Sequence, residues 1–151
     1  MAGVESVHAR ARFNKLQFFV VLVIFNFVYG WFHEFGHVFI GILGGGVIKE
    51  VGFGVGGFWV VWSVRPVGWL GFLMPFSGGM FAGVAALVIV WAADSDPDVQ
   101  IANYFLGLNQ LMYGFLEGLL YNLNLYKFFQ PVGIVAILAS TILAVFTAKK
   151  I

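Results

Sequence analysis

The sequence predicts an all-α polytopic membrane protein, with about four transmembrane helices and a short membrane-embedded β-hairpin or glycine-rich loop between the first two. Two observations carry this. Hydrophobic residues make up 61% of the 151 and charged residues only 10%, whereas a soluble domain devotes about a quarter of its residues to Asp, Glu, Lys and Arg. The eight basic and seven acidic side chains are also clustered, and the apolar gaps between them have the length, roughly 20 residues, that bilayer crossing requires. A net charge of +1 offers no electrostatic footprint for nucleic acid. The lack of cysteine excludes disulfides, thiolate metal sites and cysteine nucleophiles. One domain suits the length, so residues 1–151 read as a single integral membrane domain, multi-pass and placed in the cell membrane.

The elements follow in order. Residues 16–43 form the first span, uncharged from Leu16 to Phe32 and apolar beyond one polar interruption; with no small-residue cleavage site after it, it reads as a retained helix and not a signal peptide. Gly44, Gly45 and Gly46 end it. Residues 47–64, rich in Val, Phe and Trp around Gly56 and Gly57, have the pattern of two short strands about a Gly-Gly turn. A glycine-rich interfacial loop is the alternative. At membrane depth a hairpin needs protein or a wet cavity around it, because lipid satisfies no backbone group. The remaining spans are 66–93, 99–122 and 128–148. Asp94, Asp96 and Asp98 mark the turn before the third.

Ionisable groups inside a span are costly and so mark function; here they are His33, Glu34, His37 and Glu117. His33-Glu34-Phe35-Gly36-His37 is an H-E-x-x-H motif, in which the two histidines lie one above the other on one helix face. That spacing suits a shared Zn²⁺, with the glutamate as general base towards a water on the metal. A structural metal, or a Glu34–histidine pair tying helices together, is the non-catalytic alternative. A catalytic zinc wants a third protein ligand, and Glu117 is the one carboxylate available in the other spans. On its helix, Asn103, Gly107, Gln110, Gly114, Glu117 and Tyr121 recur in steps of three and four, a small and polar stripe expected to face the bundle interior. Gly41/Gly45 and Gly114/Gly118 are G-x-x-x-G pairs that permit close backbone approach. Asn122 and Asn124 are the fallback ligands.

The first motif, placed in a first helix, resembles the HExGH segment of the site-2 protease family of intramembrane zinc metalloproteases. That family's second motif, Asn-x-x-Pro-x-Pro-x-Leu-Asp-Gly, is similar to Asn109-Gln110-Leu111-Met112-Tyr113-Gly114-Phe115-Leu116-Glu117-Gly118. The asparagine-to-acid spacing and the Leu-acid-Gly ending match; both prolines are missing, and Glu stands in place of Asp. In architecture the resemblance extends over residues 16–121 and includes a hairpin after the first helix. It implies zinc held by His33, His37 and Glu117, Glu34 as the catalytic base, Asn109 as a substrate-binding residue, and a transmembrane segment of another protein as substrate. The Pro75-Phe76-Ser77-Gly78-Gly79 stretch is expected to bend the second helix beside the site.

The competing expectation is a non-catalytic accessory subunit of a larger membrane complex, with a degenerate or structural metal site, bound to partner subunits. A metal transporter is a third, weaker fit, since transport does not require a glutamate between the histidines. Orientation is read two ways. Arg10, Arg12, Lys15, Lys149 and Lys150 outnumber Lys49, Arg65 and Lys127, which puts both termini in the cytoplasm by the positive-inside rule. The family resemblance implies the reverse.

Overall fold

The computed structural model describes residues 15–54, 57–92 and 97–125. The elements are α1 (Lys15–Leu43), β1 (Val47–Gly54), β2 (Gly57–Val64), α2 (Gly68–Ala92) and α3 (Pro97–Asn122). Three helices are therefore observed where four spans were expected, and the fourth, 128–148, lies outside the described residues. Among the described residues, two helices are long and apolar enough to cross a membrane: α1 over Phe18–Leu43, and α2. At 1.5 Å per residue each reaches about 37–39 Å, more than the roughly 30 Å of a hydrocarbon core. α3 is as long but more polar. Its polarity is one-sided: Asn103, Gly107, Gly114 and Gly118 are buried, whereas Tyr104, Leu108, Met112, Phe115 and Leu119 are exposed.

Helix ends are set by local chemistry. Gly45, at φ 79°, sends its N–H to the Ile42 carbonyl while Gly46 N–H reaches Gly41, the Schellman arrangement that satisfies a helix's last carbonyls through a left-handed residue. Asn124, at φ 57°, closes α3 in the same way, with Asn124 N–H donating to Tyr121 and Leu125 N–H to Leu120.

The 47–64 segment is the hairpin rather than the loop. β1 and β2 pair antiparallel, with Val51 opposite Val60 and Phe53 opposite Phe58, and the register slips around Ile48–Glu50, as a bulge does. Its inner face lies on α1. Phe58 packs against Phe27 and Trp31, at ring-centroid distances of 5.7 and 4.0 Å. Trp62 fills the space over Gly41 and Gly46, where any Cβ would meet the indole. The Gly41 position therefore receives an aromatic ring from the hairpin instead of a second helix.

Small residues do bring helices together elsewhere. A Cβ on Gly36 would sit 2.8 Å from the Ser77 carbonyl carbon, and one on Gly114 would sit 2.6 Å from Gly79 Cα. α1 thus touches α2 at one glycine and α2 touches α3 at another, and Gly118 accommodates the Phe76 ring. The buried apolar core is small: Tyr29, Ala82, Ala86 and Leu106, with Leu22, Phe25 and Ile89 against it. α2 runs as one continuous helix through Pro75.

Candidate metal centre

Two of the site side chains lie one turn apart on α1. His33 and His37 are both buried and their rings meet edge to face, at 4.8 Å between centroids. Four residues of helix separate them, so they stack on one face and point together at α2 and α3. Glu117 arrives from α3. Its Oε2 is 3.0 Å from His33 Nε2 and 3.5 Å from His37 Nε2, and the two Nε2 atoms are 3.1 Å apart. These three residues form a group that can hold a metal ion.

The outer nitrogens decide what the inner ones can do. His37 Nδ1 lies 2.8 Å from the Met74 carbonyl oxygen, which can only accept, so Nδ1 carries the proton and donates. His33 Nδ1 lies 3.3 Å from Gln110 Oε1 and donates likewise. With both Nδ1 atoms protonated, each neutral ring presents a bare lone pair at Nε2. A metal-ligating histidine characteristically gives its other N–H to a carbonyl or carboxylate, which fixes tautomer and ring orientation.

Three electron-rich atoms therefore converge. Glu117 Oε2 is buried, lies at ion-pair distance from both rings and has no hydrogen-bond partner; with both rings neutral, neither Nε2 offers it a proton. Such crowding of acceptors is unfavourable unless a cation lies among them. Tetrahedral ligands about 2.0–2.1 Å from zinc are separated by about 3.3 Å, close to the spacings found here. Two imidazoles, one carboxylate and an open side make a donor set used by hydrolytic zinc sites, so the residues present fit the ion.

The second helix makes room. Gly78 faces the cluster so closely that a Cβ there would collide with the Nε2 atoms of both histidines. Ser77 hydroxyl lies 2.9 Å from the Gly36 carbonyl and 2.6 Å from that of Met74, linking the H-E-x-x-H turn to the carbonyl that orients His37. Tyr113 stands beside His33, at 5.5 Å between ring centroids.

Beside the cluster is a cavity of about 380 Å³, which Glu34, His37 and Glu117 line together with the hairpin. Five consecutive residues of β2, Phe58 to Trp62, border it. Side chains alternate across a strand, so a run of five neighbours on one cavity means that the strand's edge, rather than one face, looks into it. Glu34 is half-buried and sits at the boundary between ligands and cavity.

The structure thus brings together four of the five expected site residues, His33, Glu34, His37 and Glu117. Asn109 is buried but does not border the cavity; eight residues of helix put it about 12 Å along α3 from Glu117. Asn122 is engaged elsewhere, donating to the Phe72 and Gly118 carbonyls. Gln110, Ser77, Gly78 and the Met74 carbonyl had no assigned part in the ligand set. Gln110 belongs to the polar stripe and Gly78 to the Pro75–Gly79 segment, but a backbone carbonyl leaves no trace in a sequence. Comparison with protein-family models, with curated proteins and with solved structures found no match.

Proposed function

We propose that this chain is a multi-pass integral membrane protein and an intramembrane zinc metalloprotease of the site-2 protease type, cleaving a peptide bond within or near a transmembrane segment. The observation that carries the reading is the convergence of the two histidine Nε2 atoms and the unsatisfied Glu117 Oε2 near Glu34, beside a cavity bordered by a strand edge. The apolar surface of α1, α2 and the outer face of α3 supports the bilayer as its solvent.

His33, His37 and Glu117 would hold the zinc. A bound zinc ion supplies Lewis acidity, lowering the pKa of a coordinated water and polarising the scissile carbonyl. Glu34, at the cavity boundary, takes the proton from the attacking water and returns it to the departing amine. Met74 and Gln110 hold the imidazoles in the tautomer the ligand role needs. An intact substrate helix hides its carbonyls in hydrogen bonds, so the cleaved segment must be extended. The cavity-facing edge of β2 offers it backbone partners by strand addition.

Purified protein tests this directly. Wild type is expected to contain stoichiometric zinc and to cleave a co-reconstituted membrane substrate. Glu34→Gln should keep the metal but reduce the rate by about 10²–10⁴-fold, whereas His33→Ala should lose both. Unchanged cleavage by Glu34→Gln sinks the general-base assignment. Wild type that holds zinc, cleaves nothing and co-purifies with a fixed partner would favour the accessory-subunit reading.

A further inference from the structure

The cavity next to the cluster is bipolar. Beside the histidines it is bordered by Glu34 and Glu117, and it is also lined by apolar side chains such as Val60 and Met74 and by Tyr121 and the exposed Arg65. Arg65 follows β2 and precedes α2. Its Nη1 donates to the Tyr121 hydroxyl at 3.0 Å, and its guanidinium carbon lies 6.0 Å from the centre of the same ring. Among the described residues no carboxylate comes within ion-pair distance of it. A guanidinium steered by a neutral phenol keeps most of its five donors available, in the planar fork that matches a carboxylate.

We infer that Arg65, held by Tyr121, is a specificity residue that reads an acidic side chain of the peptide substrate close to the scissile bond. This rests on the metalloprotease reading, and adds to it the sign and position of a substrate charge. Tyr121 is one helical turn beyond Glu117, about 6 Å of axial rise. An extended peptide advances about 3.3 Å per residue. A strand lying along β2 with its scissile carbonyl at the cluster therefore brings a side chain one to three residues away to the guanidinium. Among the described residues Arg65 is the one Lys or Arg side chain bordering the cavity, so its position sets the direction in which the acidic residue lies. A peptide carboxylate is favoured over a lipid phosphate because the exposed Arg65 is tied to Tyr121 of α3 and borders the cavity that Glu34 and Glu117 also line.

The test is binding, and it does not depend on turnover. Peptidyl hydroxamates, which chelate zinc, carry a glutamate or a glutamine one, two or three residues from the chelating group and are titrated into the zinc-loaded full chain in neutral detergent. At one of these positions the glutamate probe should bind about 10- to 100-fold more tightly than its glutamine twin, the range of a charge-assisted hydrogen bond. Arg65→Gln should bring that ratio to about one. Arg65→Glu should reverse it in favour of a lysine probe, a gain that misfolding cannot mimic. Tyr121→Phe should lower the ratio without abolishing it. Equal binding of the acid and amide probes at all three positions overturns the proposal and leaves the metal reading intact. If no hydroxamate binds, the metal reading fails and this inference with it. An Arg65-dependent preference for phosphatidylglycerol over phosphatidylcholine nanodiscs, with no acid–amide difference, would also overturn it by assigning the cation to headgroups.

Discussion

Two polar clusters bridge α1 and α3 inside this bundle, one turn of α1 apart, and they are built on opposite principles. In the first, Tyr29 donates its hydroxyl to Asn103 Oδ1 while the Asn103 amide donates to the Val99 carbonyl. Each of these donors has an acceptor, the pair is fully buried, and Ala82, Ala86 and Leu106 pack around it. In the second, His33 and His37 spend their protons outward on Gln110 and Met74, and what remains facing inward is a set of lone pairs with nothing to receive them. Polarity in an apolar bundle is common to both. What separates glue from a site is whether the hydrogen-bond inventory closes.

The contrast can be broken or sharpened by substitution. The largest effect is expected from Gly78→Ala, which alters no ligand but places a methyl group against both Nε2 atoms; zinc content measured by mass spectrometry should fall to background. Retention of full zinc by Gly78→Ala would show that the cluster can open without loss, and would weaken the case for a preformed site. Next comes Gln110→Leu. It removes the acceptor that fixes the His33 tautomer, and a lost outer-sphere partner lowers metal affinity by about 10–100-fold, readable by competition with a chelator of known affinity. The smallest is Tyr29→Phe in the closed cluster. It leaves Asn103 Oδ1 unpartnered and should lower unfolding stability by about 1 kcal/mol with zinc affinity unchanged. A Tyr29→Phe protein that lost zinc as readily as Gln110→Leu would show that the two clusters act as one.

Much of this was legible in the chain. The spacing of His33 and His37 already put both on one face, because helical period is a local property. The steps of three and four along 103–121 already predicted which side of α3 would be buried, and the exposed face of Leu108, Met112 and Phe115 agrees with it. Glu117 was the one carboxylate within reach by elimination. The glycine pairs were read less well. Gly114 does let α3 approach α2 at Gly79, but Gly41 is covered by Trp62 of the hairpin. A G-x-x-x-G pattern states that something comes close without stating what. The helix continues through Pro75, since proline removes one N–H and leaves neighbouring turns able to hold the helix.

The sequence by itself determined the length and apolar character of α1 and α2, the order of the described elements, the hairpin's place and the face on which the two histidines lie. All of these follow from composition and short-range periodicity. Only the tertiary structure decided which ring nitrogens face Met74 and Gln110, that Gly78 clears the space in front of the others, and that Arg65 borders the same cavity as Glu34. Those facts depend on the sliding register of three helices and a hairpin against one another. Contacts between residues 41 to 84 positions apart, such as Gly36 on Ser77 and His33 beside Gln110 and Glu117, set that register, and no local pattern encodes them.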